Sequence, residues 1–109
     1  DNGILNTITG NFNRIDSRMD KGALWENFLI SERVKQNLYK SSNVRMYFWR
    51  TTQQQEVDLV ECEGENVYGY EFKWEKKKKV RLPSTFIKSY GATASVIDIN
   101  NFREFVILD

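Results

Sequence analysis

The spacing of apolar residues changes along the chain. From Lys21 to about Lys40, Leu24, Phe28, Val34 and Leu38 recur at helical spacing. That predicts an amphipathic helix with these four on its buried stripe. Asp20 stands where an N-cap belongs, and Ser41-Ser42-Asn43 ends the pattern. From Val44 onward the residues are β-branched and aromatic, and strands are predicted over 44–49, 56–62 and 67–74. A polar turn at 51–55 separates the first two, and Glu63-Gly64-Glu65-Asn66 reads as a tight hairpin turn between the next two. Pro83 suits the first turn of a second helix through about Tyr90, with Gly91 as its C-terminal cap. A strand over 94–99, a turn at Asn100-Asn101 and a last strand over 104–108 complete the pattern.

The predicted order is α-β-β-β-α-β-β. It implies an α+β fold in layers, with a mixed central sheet flanked by helices: an antiparallel meander, then a strand returning parallel after the second helix. Residues 21–109 form the expected domain. Residues 1–20, rich in Asn, Gly, Asp and Thr around a short apolar stretch at 4–8, read as a lead-in from an upstream domain. The chain opens on Asp1 without an initiator Met, which fits a segment of a longer protein.

Composition narrows the chemistry. At 109 residues and 40% hydrophobic content, one packed domain is expected. No apolar run approaches the roughly 20 residues of a membrane helix, and no signal-peptide pattern opens the chain. The single Cys62 excludes an internal disulfide, fits a reducing cytoplasm, and in a strand reads as an inert buried thiol. The absence of histidine excludes Ser-His-Asp and Cys-His machinery, His-ligated zinc and His general bases. Carboxylate, Lys, Tyr or metal-water chemistry remains.

Net charge is +1 but unevenly spread: residues 1–72 carry 8 basic and 11 acidic groups, and 73–109 carry 8 and 4. Lys73, Lys76, Lys77, Lys78, Lys79 and Arg81 make most of the basic excess. Such a cluster suits a phosphate backbone, and it equally suits a solvated surface.

The second and third strands carry the candidate chemistry. Alternation puts Tyr68, Tyr70, Phe72 and Trp74 on one side of the third strand, and Gly69, Glu71 and Lys73 on the other. In the second strand it puts Glu56, Asp58, Val60 and Cys62 together, opposite Val57 and Leu59. A turn at Gly64-Glu65 then places Asp58 nearly opposite Glu71, with Cβ atoms about 4.5–5.5 Å apart. Two carboxylates that close repel unless a proton, a Lys or a metal lies between them. One reading is a surface salt-bridge cluster neutralised by Lys73, worth about 0–1 kcal/mol. Against it, Asp58 is flanked by Val57, Leu59 and Val60, where an ionised carboxylate is costly unless paired. Glu26, near the start of the first helix, is a further candidate acid, or else simply suits the helix dipole.

A helix Glu, an Asp in strand two and Glu-x-Lys in strand three resemble the PD-(D/E)XK nuclease superfamily, whose core runs αβββαβ. Gly22-Ala23-Leu24-Trp25-Glu26-Asn27, Tyr47-Phe48-Trp49-Arg50, Glu56-Val57-Asp58 and Glu71-Phe72-Lys73 further resemble a C-terminal domain of AAA-type ATPases of bacteria and archaea. Asp1-Asn2-Gly3 is similar to the linker that precedes it. The resemblance implies a restriction-endonuclease-like core and a Mg²⁺ (or Mn²⁺) site on Asp58 and Glu71, with Glu26 in reach. It also implies Lys73 beside the attacking water, an upstream ATPase domain as partner, and DNA or RNA as substrate. Val57 replaces the superfamily's Pro, and Phe86 stands four residues before Tyr90 where some branches carry Gln. Two other readings remain: an inactive nuclease-fold module that docks partners or regulates the ATPase, with an apolar surface around Trp25, Trp49 or Trp74, and a simple nucleic-acid-binding module using Lys76 to Lys79.

Overall fold

The computed structural model describes residues 18–40, 43–74 and 81–106. The elements are α1 (Arg18–Tyr39), β1 (Arg45–Arg50), β2 (Glu56–Glu63), β3 (Asn66–Phe72), α2 (Ser84–Tyr90), β4 (Thr93–Ile97) and α3 (Phe102–Val106). The four strands form one sheet in the order β1-β2-β3-β4. β1, β2 and β3 are an antiparallel meander, and β4 runs parallel to β3 after the α2 crossover. The fold is thus a layered α+β domain with a mixed sheet. α1 begins at Arg18, so Asp20 lies inside its first turn instead of capping it.

Two apolar clusters pack on the two faces of the sheet. One joins Trp25 and Leu29 of α1 to Leu59, Phe72 and Ile97, and to Phe102, Phe105 and Val106 of α3. The other joins Val57 and Val60 to Leu82 and Phe86 on the α2 side. Gly69 permits the second contact: a Cβ there would lie 2.5 Å from Phe86 Cε2 and 2.8 Å from Leu82 Cδ2. Gly91, in the left-handed region at φ 58°, closes α2 by donating its N–H to the Ile87 carbonyl.

The buried stripe of α1 differs from the apolar spacing. Trp25 and Leu29 are buried, Phe28 is half-buried, and Leu24, Val34 and Leu38 are exposed, Leu38 by 74%. The helix is instead rotated to bring Arg33, Gln36 and Asn37 onto Glu61 of β2. Glu61 is 3% exposed and receives Arg33 Nε and Nη2, each at 2.9 Å. Arg33 Nη1 also donates to Gln36 Oε1 at 2.9 Å and to the Phe105 carbonyl at 2.7 Å, while Asn37 Nδ2 donates to Glu61 at 3.0 Å. Burial alone would depress the Arg33 guanidinium, but the Glu61 carboxylate reverses this and holds it above its ordinary value. A count of apolar residues misses a helix face that is buried through paired polar groups.

The expected last strand is a helix through Val106. Asp98 and Asn101 turn the chain: Asn101 Oδ1 accepts the Asp98 N–H, Asp98 Oδ1 accepts the Asn100 N–H, and Phe102 donates its N–H to the Asp98 carbonyl. From there Phe102, Phe105 and Val106, at i, i+3 and i+4, all face the core. Residues 107–109 lie outside the described residues.

Candidate functional site

The end of the sheet where β2 begins and β3 and β4 finish holds the candidate acids. Its geometry departs from simple alternation. Tyr47 pairs with Val60 and Trp49 with Val57, so β2 runs three residues where β1 runs two. The extra residue is a β-bulge in which Asp58 and Leu59 together oppose Phe48. Val57 and Val60 therefore both pack on the α2 side, and Asp58 does not simply share a face with Val60 against Val57 as alternation predicts. The β2–β3 ladder also stops at Leu59–Tyr70. One residue further on, Asp58 Oδ2 accepts the Phe72 N–H at 2.8 Å, filling the place a backbone carbonyl would take.

Glu71 follows Gly69 on the α2-facing side of β3, opposite Val96. Its carboxyl lies within hydrogen-bonding reach of the Asp58 carboxyl, and Lys73 Nζ sits 3.3 Å from its Oε1. The Glu71 side chain is only 17% exposed. Burial first, and the neighbouring Asp58 second, push it up from 4.5 to about 7, with Lys73 offsetting only part of the rise. Glu26 follows the buried Trp25 on α1. Burial, then Asp58 and Glu56, hold its carboxyl above the usual value, and Lys73 again opposes them. The fold therefore brings Glu26, Asp58, Glu71 and Lys73 into one electrostatically coupled group.

Two aromatic contacts hold this end together. The Trp25 indole N–H donates to the Lys73 carbonyl at 3.0 Å, tying α1 to the chain just beyond β3. Trp74 packs edge-on against Trp25 at 4.9 Å, and Lys21 Nζ lies 5.4 Å from the Trp74 ring. Lys21 thus stands over the ring of the residue that follows Lys73. Its signal in the sequence was weak, since a helix Lys and a strand-end Trp have no fixed spacing. Trp25, weighed above as an interface residue, is 1% exposed and belongs to the core. Arg81 is described and exposed, while Lys76 to Lys79 lie outside the described residues.

The donor set suits a hard divalent cation in part. Asp58 and Glu71 offer adjacent carboxylate oxygens, and a cation between them would relieve the repulsion that raises Glu71. Among the described residues no three Asp, Glu, Cys or His groups form a ready metal cage. A site built on these two carboxylates would keep most of its shell as water, as Mg²⁺ does. A cavity of about 270 Å³ lies elsewhere, lined by Tyr47, Phe48, Trp49, Val60, Cys62, Val67, Phe86 and Tyr90, and does not contain the acids.

Fold and site together define an α+β domain with an αβββαβ core and a carboxylate–lysine cluster at the end of its sheet. The chain belongs to the DUF4143 family, a domain of unknown function, whose model matches residues 21–107. No match was found among curated proteins or among solved structures. Among the described residues no helix is long and apolar enough to cross a membrane.

Proposed function

We propose that this domain is a metal-dependent phosphodiesterase of the PD-(D/E)XK kind acting on nucleic acid, attached to an AAA-type ATPase. The observation that carries the reading is the carboxyl pair of Asp58 and Glu71 with Lys73 Nζ 3.3 Å from Glu71. Asp58 and Glu71 would hold Mg²⁺ or Mn²⁺, with Glu26 close enough to act through water. The cation would supply Lewis-acid polarisation of a phosphoryl oxygen and a more acidic water. Lys73 offsets phosphate charge and orients the attacking water, and its carbonyl bond to Trp25 fixes the backbone from which it projects. The missing histidine is compatible with this chemistry.

A second reading rests on the bond from Phe72 N–H to Asp58. A carboxylate that completes an interrupted ladder has a structural task without catalysis, which favours a nuclease-fold module that docks partners or regulates the ATPase. Calorimetric titration with Mg²⁺ and Mn²⁺, followed by cleavage assays on single- and double-stranded DNA and RNA, separates the two. The enzyme reading expects metal binding that Asp58→Ala and Glu71→Ala abolish, and cleavage lost in the same variants. Absence of metal binding by the unaltered protein supports the docking module.

A further inference from the structure

We infer that the aromatic cleft between β1 and α2 binds a nucleobase together with its phosphate. The cleft, about 270 Å³, has Trp49, Cys62 and Phe86 among its walls and Tyr47 and Tyr90 at its opening. Trp49 meets Phe86 edge-on at 5.3 Å, and Tyr90 lies 5.5 Å from Phe86. Tyr47 and Tyr90 are 49% and 51% exposed, although burying aromatic rings of that size favours folding. Their exposure suits a ligand that supplies the missing cover. The volume lies just below the roughly 300–1,000 Å³ of most small-molecule sites, which fits one planar ring system better than a peptide or an acyl chain.

Charge selects among planar ligands. Alternation along β1 puts Arg45 on the same side as Tyr47 and Trp49. Arg45 is exposed and has no ion pair among the described residues, whereas Arg50 is matched by Glu56 at 3.3 Å. A ring that stacks on the two tyrosines while presenting an anion to arginine is a nucleotide. Pairing of two β1 edges is disfavoured, because antiparallel self-pairing centred on Tyr47 and Phe48 sets Arg45 against Arg50 of the second copy.

The inference deepens the nuclease reading and rests on it for the choice of a strand over a free nucleotide. Val60, which lines the cleft, lies two residues along β2 from Asp58, ~7 Å at strand rise. Glu71 faces the same side of the sheet as the cleft, opposite Val96. A strand with one phosphate at Arg45, beside Cys62, would cross the cleft at Val60 and run on toward the acids at Asp58. Single-stranded nucleic acid is the substrate class this geometry takes, since a paired base cannot enter.

The test is fluorescence anisotropy of a labelled single-stranded oligothymidylate in EDTA, so that no cleavage is needed. Tyr47→Ala and Tyr90→Ala, both at exposed positions, are expected to weaken binding about 5- to 150-fold. Arg45→Ala should reduce the salt dependence by about one counterion. Leu38→Ala, on the exposed side of α1, should leave affinity unchanged. Thymidine monophosphate displacing the oligonucleotide at equal nucleotide concentration assigns the cleft to free nucleotides; displacement only by longer strands assigns it to single-stranded nucleic acid. Affinity unaffected by Tyr47→Ala and Tyr90→Ala overturns the proposal, as does equal binding of a blunt duplex. Cleft-dependent binding without metal-dependent cleavage would sink the nuclease reading and leave the cleft assignment standing.

Discussion

The carboxyl of Asp58 lies within hydrogen-bonding reach of the carboxyl of Glu71 while its Oδ2 accepts the Phe72 N–H at 2.8 Å. One residue thus closes the end of the β2–β3 ladder and raises the proton affinity of its neighbour. Because the bulge creates this position, the local fold and the local chemistry are the same feature.

The Glu71 titration tests it directly. In metal-free buffer the Glu71 carboxyl carbon should titrate near 7 by NMR. Asp58→Asn should lower that value without restoring 4.5, because burial, the larger cause, persists. The folded state holds this proton more tightly than the unfolded chain does. The resulting contribution to stability is full below about pH 4.5 and lost as pH rises through about 7. Urea midpoints between those limits should show a fall of roughly 1–3 kcal/mol from this group. A Glu71 carboxyl that titrates near 4.5 in the native protein would remove the close carboxyl pair.

Glu61→Gln should destabilise the domain by about 3–5 kcal/mol, because it strands the Arg33 guanidinium among Gln36, Tyr70 and Phe105. The double variant Arg33→Met/Glu61→Leu should cost less than either single change, since no buried charge is left unpaired. Denaturant melts of the four proteins give the coupling. Additive losses would mean the pair is not buried as described.

Gly69→Ala should cost about 1–3 kcal/mol, since the added methyl meets the edge of the buried Phe86 ring and the Leu82 side chain. Combining it with Phe86→Leu should show favourable coupling in a double-mutant cycle. A neutral Gly69→Ala would place α2 further from the sheet.

Asn101→Ala removes the side-chain bonds to the Asp98 N–H and the Val96 carbonyl, each 2.8 Å. A loss of about 1–2 kcal/mol is expected. Amide exchange at Phe105 and Val106 should accelerate more than at Leu59, because α3 depends on this turn and the sheet does not. Uniform acceleration would contradict a local cap.

Much of this protein was legible in its residues. The order of the first six elements, the Gly64 hairpin, the Gly91 cap and the pairing of Glu71 with Lys73 follow from periodicity and turn chemistry, which act over a few neighbours. Tertiary structure decided three things. It rotated α1 so that Arg33 and Gln36 are covered while Leu24 and Leu38 face water, because a paired buried polar group outweighs a marginal apolar spacing. It made residues 102–106 a helix, because Phe102, Phe105 and Val106 reach the core together only at helical spacing. It also inserted the bulge at Asp58, which no alternation rule contains, since a bulge exists only relative to the partner strand. Local sequence set the elements and the residue types of the site. The contacts between distant segments set which side chains meet, and so where a proton or a cation can be held.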